Sequence, residues 1–316
     1  MMSKVLVLLS TYNGEKFLKE QIDSILSQKH VDVYLLIRDD GSRDATRDII
    51  KEYVAQNKNV EWLAGDNVGF VKSFTILLES AVNFEYQPDF YAFADQDDIW
   101  MPDKLYQACL SLKAKDDSKP NLFTSNSLLI DGVGSEIGVF HQVEPHYSKG
   151  NILIYCTEQG CSMAFNRKAL EFFIQKPPRT AFHDRYMYMI CSFFGSVSYC
   201  HRPLFYYRLH GHNTLGLGEV KETNKGLFSK VCHLLKFLVS NQQESNHRLM
   251  AQEFYQNYGE ALSEEDSQII KRYIDYCKGF LNRFKLLNQV YYHPCYHDFK
   301  LKTKVNFVLN VLFLKY

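Results

Sequence analysis

The sequence has no excess of either charge, because 36 lysines and arginines balance 36 aspartates and glutamates. A balanced chain lacks the basic footprint of a nucleic-acid-binding protein, so we expect no nucleic-acid partner. The eight cysteines include no CxxC pair, which argues against a structural zinc site or a redox motif. They fit small buried residues of a protein from a reducing compartment.

Long apolar runs are also missing. No stretch approaches the roughly 20 apolar residues that a membrane-spanning helix needs. The apolar run Val5–Leu9 is short and continues into the polar segment Ser10–Gly14 without the small-residue cleavage site of a signal peptide. We therefore expect a cytoplasmic protein, with peripheral contact to the inner face of the cell membrane as an alternative.

The glycine-rich phosphate-binding motifs GxGxxG and GxxxxGK[ST] do not occur in the chain. What the sequence does contain is an acidic segment, Asp95–Gln96–Asp97–Asp98, directly after the apolar run Phe90–Ala94. Three carboxylates within four residues repel one another unless a cation or hydrogen-bond donors compensate them. Such oxygen ligands suit Mg²⁺ or Mn²⁺, which can then hold phosphates. Taken alone, the segment also fits a solvated acidic turn that caps the next helix.

Apolar runs alternate with segments of helical periodicity along the first hundred residues, which predicts an α/β fold with a mainly parallel sheet. Ligands of such sheets bind at the carboxyl ends of the strands. Polar segments follow three of the predicted strands at that end: Tyr12–Asn13, Asp39–Asp40 and Asp95–Asp98. We therefore expect these segments, distant in sequence, to meet in one crevice.

The pattern changes in the second half of the chain. Residues 131–150 are predicted to form a mobile loop, and Val197–Cys200 and Leu204–Tyr207 are predicted as two separate strands. Beyond about residue 220 only helix-like segments remain, and we expect helices over 227–238, 248–258, 264–284 and 302–314. We therefore expect a catalytic-type domain over 1–218 and a helical region over 219–316. The basic and aromatic face of this region fits an anionic membrane surface, or packing against the first domain or a second subunit.

The order of the polar motifs resembles that of family 2 glycosyltransferases with the GT-A fold, over about residues 4–215. That fold is a Rossmann-like, mainly parallel sheet flanked by helices, here followed by the helical region. Within the family the chain is most similar to bacterial rhamnosyltransferases that build cell-wall or capsular polysaccharide. The motifs that carry the resemblance are Leu9–Gly14, Arg38–Ser42, Asn67–Gly69, Asp95–Trp100 and His183–Tyr186.

The resemblance implies a role for each motif in binding a nucleotide-sugar donor. Asp39 or Asp40 would hydrogen-bond the pyrimidine base or hold its loop, and Asp98 would support the two metal-side acids. The residues implied to line the nucleotide pocket are Thr11, Tyr12, Asn13 and Glu15. The residues implied to contact ribose, diphosphate or a Mg²⁺ or Mn²⁺ ion are Asp95, Asp97, Arg208, His210 and Asn213, with Asp95, Asp97 and His210 as metal ligands.

Asp184 takes the place of the family's general base, although an aspartate at a helix start is more often a cap. His210 likewise has a structural alternative, a hydrogen bond to a backbone carbonyl. The pair Gly160–Cys161 falls where related transferases carry residues that line the acceptor side, and its cysteine departs from their pattern.

The implied reaction is an inverting transfer of a sugar to a hydroxyl of a growing cell-surface polysaccharide or lipid-linked glycan. The resemblance favours L-rhamnose from dTDP-rhamnose, with UDP-linked galactofuranose, glucose, galactose or an amino sugar as alternatives. A homo-oligomer is compatible with the sequence. Two other classes stay open: a sugar-1-phosphate nucleotidyltransferase, which would need a glycine-rich, arginine-containing loop after the first strand, and a non-catalytic nucleotide-sugar-binding subunit.

Overall fold

A computed structural model describes residues 2–142, 144–145, 149–153, 159–179, 182–210, 246–279, 281–282 and 285–287. The chain divides into two compact units: Met1–Pro145 with Thr157–Leu209, and His146–Cys156 with His210–Tyr316. The predicted domain boundary after residue 218 and the predicted helices over 227–238 and 302–314 lie outside the described residues. Among the described residues, no helix has the length and apolar character needed to cross a membrane.

The first unit is built on a mixed nine-stranded sheet. Its strands are β1 Ser3–Thr11, β2 Val31–Asp39, β3 Val60–Ala64, β4 Phe90–Ala94, β5 Ile99–Trp100, β6 Asn121–Ile130, β7 Glu136–Val139, β8 Ala164–Asn166 and β9 Ser196–Arg208. They follow the order β3-β2-β1-β4-β8-β6-β9-β5, with β7 paired to β6. The strands from β3 to β4 in this order are parallel to one another, and β8 runs antiparallel to β4.

Helices cover the faces of this sheet, which confirms the predicted α/β class. The central run Val5–Leu9 is at most 1% exposed, as expected for a parallel strand covered on both sides. The helices of the first unit are α1 Leu18–Leu26, α2 Thr46–Gln56, α3 Phe70–Ala81, α4 Lys104–Lys113, α6 Arg167–Gln175 and α7 His183–Phe194, and α5 Lys149–Ile152 belongs to the second unit.

Two local predictions for the second half were wrong. The segments predicted as separate strands form one strand, β9, which runs parallel to β6 with a shift in register between Ser125 and Asn126. Pro203 pairs with Asn126 at that irregularity, where a residue without an N–H group is tolerated because the ladder is already interrupted. The segment predicted as a mobile loop contains β7, which closes a hairpin with β6 through a turn in which Gly134 has a φ of +93°.

The described part of the second unit is helical, as predicted. It contains α8 Asn246–Tyr258 and α9 Glu264–Asp275, where the sequence predicted one longer helix from Glu264. The side chain of Ser263 caps α9 by accepting a hydrogen bond from the Asp266 N–H at 3.1 Å. Both carboxylate oxygens of Asp266 lie 2.8 Å from Lys149 Nζ, which joins α5 to α9.

Candidate active site

The carboxyl ends of β1, β2 and β4 lie side by side, so the predicted convergence of the polar loops is realised. Thr11 pairs with Asp39 in the β1–β2 ladder, and Leu9 pairs with Ala94 in the β1–β4 ladder. Asp95 follows Ala94 directly, at the same edge of the sheet. The two-residue strand β5 then pairs with β9 and fixes the far end of the acidic loop.

The acidic loop folds into a tight cluster with a thiol. One carboxylate oxygen each of Asp95 and Asp98 and the Cys161 Sγ all lie within 4.8 Å of one another. Asp98 is buried, and its Oδ1 accepts a hydrogen bond from the Arg208 N–H at 3.3 Å. Its Oδ2 has no hydrogen-bond partner among the described residues.

Negative charge in this cluster is only partly compensated. Burial, followed by the negative charges of Asp97 and Asp184, raises the pKa of Asp95 to about 7. Burial and the charges of Asp97 and Asp95 raise the pKa of Asp98 well above its usual range. Burial likewise raises the pKa of the Cys161 thiol, which therefore stays protonated. A cation at this position would relieve the repulsion between the carboxylates.

A buried lysine lies beneath the cluster. Lys104 is 1% exposed, donates to the Cys161 carbonyl at 2.9 Å, and its Nζ lies 3.4 Å from the centroid of the Trp100 ring. Burial lowers the pKa of Lys104 to about 7, although nearby negative charge, including Asp98 and Asp95, opposes that shift. Near neutral pH the lysine therefore supplies at most one positive charge to several carboxylates.

Lys104 was not among the residues that the sequence predicted to be functional. The available signal was its position on the apolar stripe of α4, because Ala108 and Leu112 recur four residues apart on the same buried face. A lysine on such a stripe needs a buried anionic partner. The acidic segment a few residues upstream was the obvious source of one.

Arg208 does not present a free guanidinium. Its Nη2 lies 2.5 Å from Glu20 Oε2, its Nε donates to the Asp97 carbonyl at 3.0 Å, and its guanidinium packs over the Phe17 ring at 4.5 Å. In these contacts Arg208 supports the acidic loop from β9. Its predicted contact with a diphosphate stays a prediction.

Hydrogen bonds in both directions join the loop after β1 to the loop after β2. Asn13 Oδ1 accepts from the Arg43 N–H at 2.9 Å, and Glu15 Oε2 accepts from the Ala45 N–H at 2.9 Å. In return the Asn13 N–H donates to Ser42 Oγ at 2.9 Å. The side chains of Asn13 and Glu15 therefore shape the predicted nucleotide loop, whereas Tyr12, 43% exposed, presents its ring at the surface.

Asp39 and Asp40 are buried and hydrogen-bonded to the protein. Asp39 accepts from the Ser42 N–H at 3.2 Å and from Arg47 Nε at 2.6 Å. Asp40 forms an ion pair with the buried Arg38 and holds the next loop, its oxygens accepting from the Val68 and Gly69 N–H groups at 3.0 and 2.9 Å. Of the two roles that the sequence left open, these contacts match loop support.

Asp184 lies beside the acidic cluster. It occupies the first turn of α7, whose cap is Phe182, so it is not the capping residue itself. Its Oδ1 accepts from the Arg185 N–H at 2.7 Å, and a Cβ added at Gly160 would lie 3.1 Å from both its Cβ and its Oδ2. Gly160 directly precedes Cys161, which lies in the acidic cluster, so the Asp184 carboxylate lies near Asp95 and Asp98.

The neighbouring His183 is a core residue whose ring packs against phenylalanines. Its ring stacks on Phe74 with a centroid distance of 3.9 Å and meets Phe93 edge-on at 4.8 Å. Its Nδ1 has no hydrogen-bond partner among the described residues. Burial lowers the pKa of His183 to about 4, so the imidazole is neutral at physiological pH.

This buried histidine predicts acid sensitivity. A pKa lowered from 6.5 to about 4 means that the neutral ring stabilises the fold above pH 6.5, and that this contribution is lost as the pH falls toward 4. At pH 5 the loss is about 2 kcal/mol. His183→Phe should therefore reduce the fall in Tm between pH 7.5 and pH 5 by roughly 4–8 °C. In the exposed control His201→Gln the fall should equal that of the wild type, and an unchanged fall in His183→Phe would contradict the assignment.

Two predicted site residues cannot be placed in this cluster. His210 is half-buried, two residues beyond the end of β9, and belongs to the second unit. Asn213 lies outside the described residues. The roles of both at a metal or diphosphate stay predictions.

Comparison with known proteins identifies the class to which this fold and site belong. Residues 6–127 match the family described as Glycosyl transferase family 2. This match and the glycosyltransferase relatives described below support the glycosyltransferase enzyme that the sequence motifs predicted.

Relatives of known name agree with this class. A glycosyltransferase of Nostoc sp., alr2836, is 27% identical over 221 residues, which are 66% of this chain and 66% of that protein. The dTDP-rhamnosyl transferase RfbG of Shigella flexneri is 29% identical over 221 residues, 66% of this chain and 73% of RfbG.

A solved structure shows the same fold. Residues 1–349 of S. aureus TarS, in complex with UDP-GlcNAc, superpose with a TM-score of 0.55 at 16% identity, covering 98% of this chain and 90% of that one. The predicted GT-A fold is confirmed.

Proposed function

We propose that this glycosyltransferase moves a sugar from a nucleoside diphosphate to an acceptor hydroxyl with inversion at the anomeric carbon. The observation that carries the proposal is the position of Asp184 beside the acidic cluster, close enough for its charge to raise the pKa of Asp95. The leaving diphosphate and the attacking hydroxyl need groups on opposite sides of one sugar. The cluster and Asp184 offer carboxylates for these two tasks at one sheet edge.

The nucleotide end of the donor is proposed to lie on the loop after β1. Hydrogen bonds between residues 13–15 and 42–46 hold this loop in place, which reduces the entropy that donor binding would otherwise cost. Tyr12, with its exposed ring, is proposed to stack on a base. Thr11, Asn13, Glu15, Asp39 and Asp40 shape the pocket mainly by holding its loops.

The acidic cluster fits a divalent cation. It combines closely spaced carboxylate oxygens, raised carboxyl pKa values and a buried Asp98 Oδ2 without a hydrogen-bond partner among the described residues. Mg²⁺ or Mn²⁺ suits these oxygens better than a soft metal does. Asp95, Asp97 and Asp98 would hold it. When bound, such an ion neutralises the charge that develops on a departing diphosphate.

Asp184 is proposed as the general base. An acceptor hydroxyl is a weak nucleophile that must lose its proton during attack, and a carboxylate within hydrogen-bond reach can accept that proton. The anomeric carbon gains oxocarbenium character as the leaving group departs. One base suffices for a single displacement, and no covalent sugar–enzyme intermediate is needed. Gly160 leaves the space in which the Asp184 carboxylate stands.

The donor is proposed to be dTDP-rhamnose. The sequence motifs favour a rhamnosyltransferase, and the relative RfbG carries the name dTDP-rhamnosyl transferase. UDP sugars are the alternative, because the TarS structure of the same fold holds UDP-GlcNAc. The acceptor is proposed to be a hydroxyl of a growing polysaccharide or a lipid-linked glycan at the inner membrane face.

The test is a donor screen on the purified full chain. Measurements of Tm with each candidate donor, with and without Mn²⁺, should identify one donor that raises Tm. The candidates are dTDP-rhamnose, UDP-glucose, UDP-galactose, UDP-GlcNAc and UDP-galactofuranose. That donor, carrying a labelled sugar, should then yield labelled glycan with membrane extracts. Formation of a nucleoside diphosphate sugar and pyrophosphate from a sugar-1-phosphate and a nucleoside triphosphate would indicate a nucleotidyltransferase. Binding of the donor without any transfer would indicate a non-catalytic subunit.

Asp97 provides a separate test of the cation. Asp97→Asn should weaken nucleotide binding in the presence of Mn²⁺ by at least about tenfold, because one anionic ligand is lost, while binding without metal should change little. Isothermal titration of dTDP and UDP with and without Mn²⁺ measures both values. Asp48→Asn, at an exposed position of α2, is the control. Equal Mn²⁺ dependence in Asp97→Asn and wild type would remove Asp97 from the metal site.

A further inference from the structure

The second residue of the acidic segment, Gln96, points back to the loop after β1. Its Oε1 accepts hydrogen bonds from Thr11 Oγ1 at 2.6 Å and from the Tyr12 N–H at 2.8 Å. Its Nε2 donates to the Tyr12 carbonyl at 3.3 Å. One side chain therefore binds both backbone polar groups of Tyr12, whose exposed ring belongs to the proposed nucleotide pocket.

A glycine makes room for this contact. A Cβ added at Gly14 would lie 2.5 Å from Gln96 Oε1 and 2.7 Å from Thr11 Oγ1, closer than real Cβ atoms approach. The Gly14 N–H donates to Thr46 Oγ1 at 2.7 Å on the other side. The loop after β1 is thus held between the acidic loop and the start of α2.

The amide of glutamine has the chemistry that this position requires. Tyr12 offers one donor and one acceptor, and a primary amide supplies the matching acceptor and donor together. A glutamate would lose the donor and would add a fourth carboxylate beside Asp95, Asp97 and Asp98, raising the repulsion there. An asparagine is one methylene shorter and would fall short of Tyr12.

We propose that Gln96 is a positioning residue that couples cation binding to nucleotide binding. Its backbone belongs to the loop that would hold the cation, and its side chain fixes the loop that would hold the base. A cation that orders residues 95–98 thereby also orders Tyr12, and a nucleotide on Tyr12 favours the ordered acidic loop. Such a coupling is reciprocal by linkage. The inference rests on the proposed donor site.

The test measures this coupling directly. Isothermal titration gives the Kd of dTDP and of UDP, with and without Mn²⁺, for wild type, Gln96→Ala, Gln96→Asn and the exposed control Gln56→Ala. We expect Mn²⁺ to tighten nucleotide binding in wild type and Gln56→Ala. In Gln96→Ala and Gln96→Asn, the ratio of Kd without Mn²⁺ to Kd with Mn²⁺ should be at least about fivefold smaller than in wild type. Fivefold is the lower end of typical coupling between two sites. Tightening equal to wild type in both Gln96 variants would overturn the inference.

A ligand-free measurement checks the geometry on its own. Gly14→Ala should lower Tm in the wild-type background because its Cβ meets Gln96 Oε1, and it should lower Tm less in the Gln96→Ala background, where that atom is absent. Equal losses in both backgrounds would contradict the contact. Failure of the wild type to bind either nucleotide would instead contradict the proposed function, so the two failures are distinguishable.

Discussion

Replacing Asp184 with asparagine is expected to lower the transfer rate by about 10²–10⁴-fold, the range of general-base catalysis. The amide keeps the size of the side chain and its contact with the Arg185 N–H, but it cannot accept the proton of the acceptor hydroxyl. Donor binding should stay within about twofold of wild type, because Asp184 is proposed to act on the acceptor. The loss should therefore lie in kcat rather than in the Kd of the donor.

Initial rates with a labelled donor and titration of the same donor measure the two quantities. Asp48→Asn removes a carboxylate from an exposed position of α2 and should leave both at wild-type values. An active Asp184→Asn enzyme would remove Asp184 from the role of base. A variant that lost donor affinity instead would place Asp184 among the donor-binding groups.

A branched side chain at Gly160 is also expected to lower kcat while donor affinity is retained. Even a single Cβ there would lie 3.1 Å from the Asp184 Cβ and Oδ2, so the larger side chain of Gly160→Val must displace the carboxylate. Misplacement of a reacting group by about 1 Å can cost roughly 10²-fold in rate. Gly160→Val should therefore lose about 10² in kcat, with donor affinity retained, and Gly160→Ala should lose less.

The matched control is Gly138→Ala on β7, where an added Cβ meets no atom within 4 Å. The same kinetic assay and a Tm measurement separate a local displacement from a folding defect. Wild-type kcat in Gly160→Val would show that the Asp184 position is not critical. Combining Gly160→Val with Asp184→Asn should add little further loss, since both act on the same group.

The sequence predicted the parts of this protein that depend on local pattern. The buried run Val5–Leu9 identified a parallel strand, and strand ends in a parallel sheet share one edge. The meeting of Thr11 and Tyr12 with the 95–98 segment followed from that. The role of Asp184 was predicted from the resemblance of its motif, not from hydrophobic periodicity. Its distance to the acidic loop depends on how α7 packs, which no periodicity reveals.

Local sequence patterns do not reveal side-chain partners that lie far away in sequence. Asn13 and Glu15 carry suitable groups for a nucleotide, but backbone N–H groups about 30 residues later occupy them. Lys104 and Cys161 were not expected in the acidic cluster. Lys104 begins α4 and Cys161 lies just before β8, and these elements meet the acidic loop only in the folded protein. The single strand β9 was divided in prediction because Pro203 interrupts its pattern, and its register shift next to β6 accommodates that residue.

A crystal of the full chain with Mn²⁺ and dTDP, measured at the manganese absorption edge, tests whether the cation, the nucleotide and Asp184 share one cavity. We expect an anomalous peak about 2 Å from carboxylate oxygens of the 95–98 segment, with the diphosphate next to it, the base on Tyr12 and Asp184 facing the same cavity. Nucleotide bound on a surface that contains neither this segment nor Asp184 would contradict it.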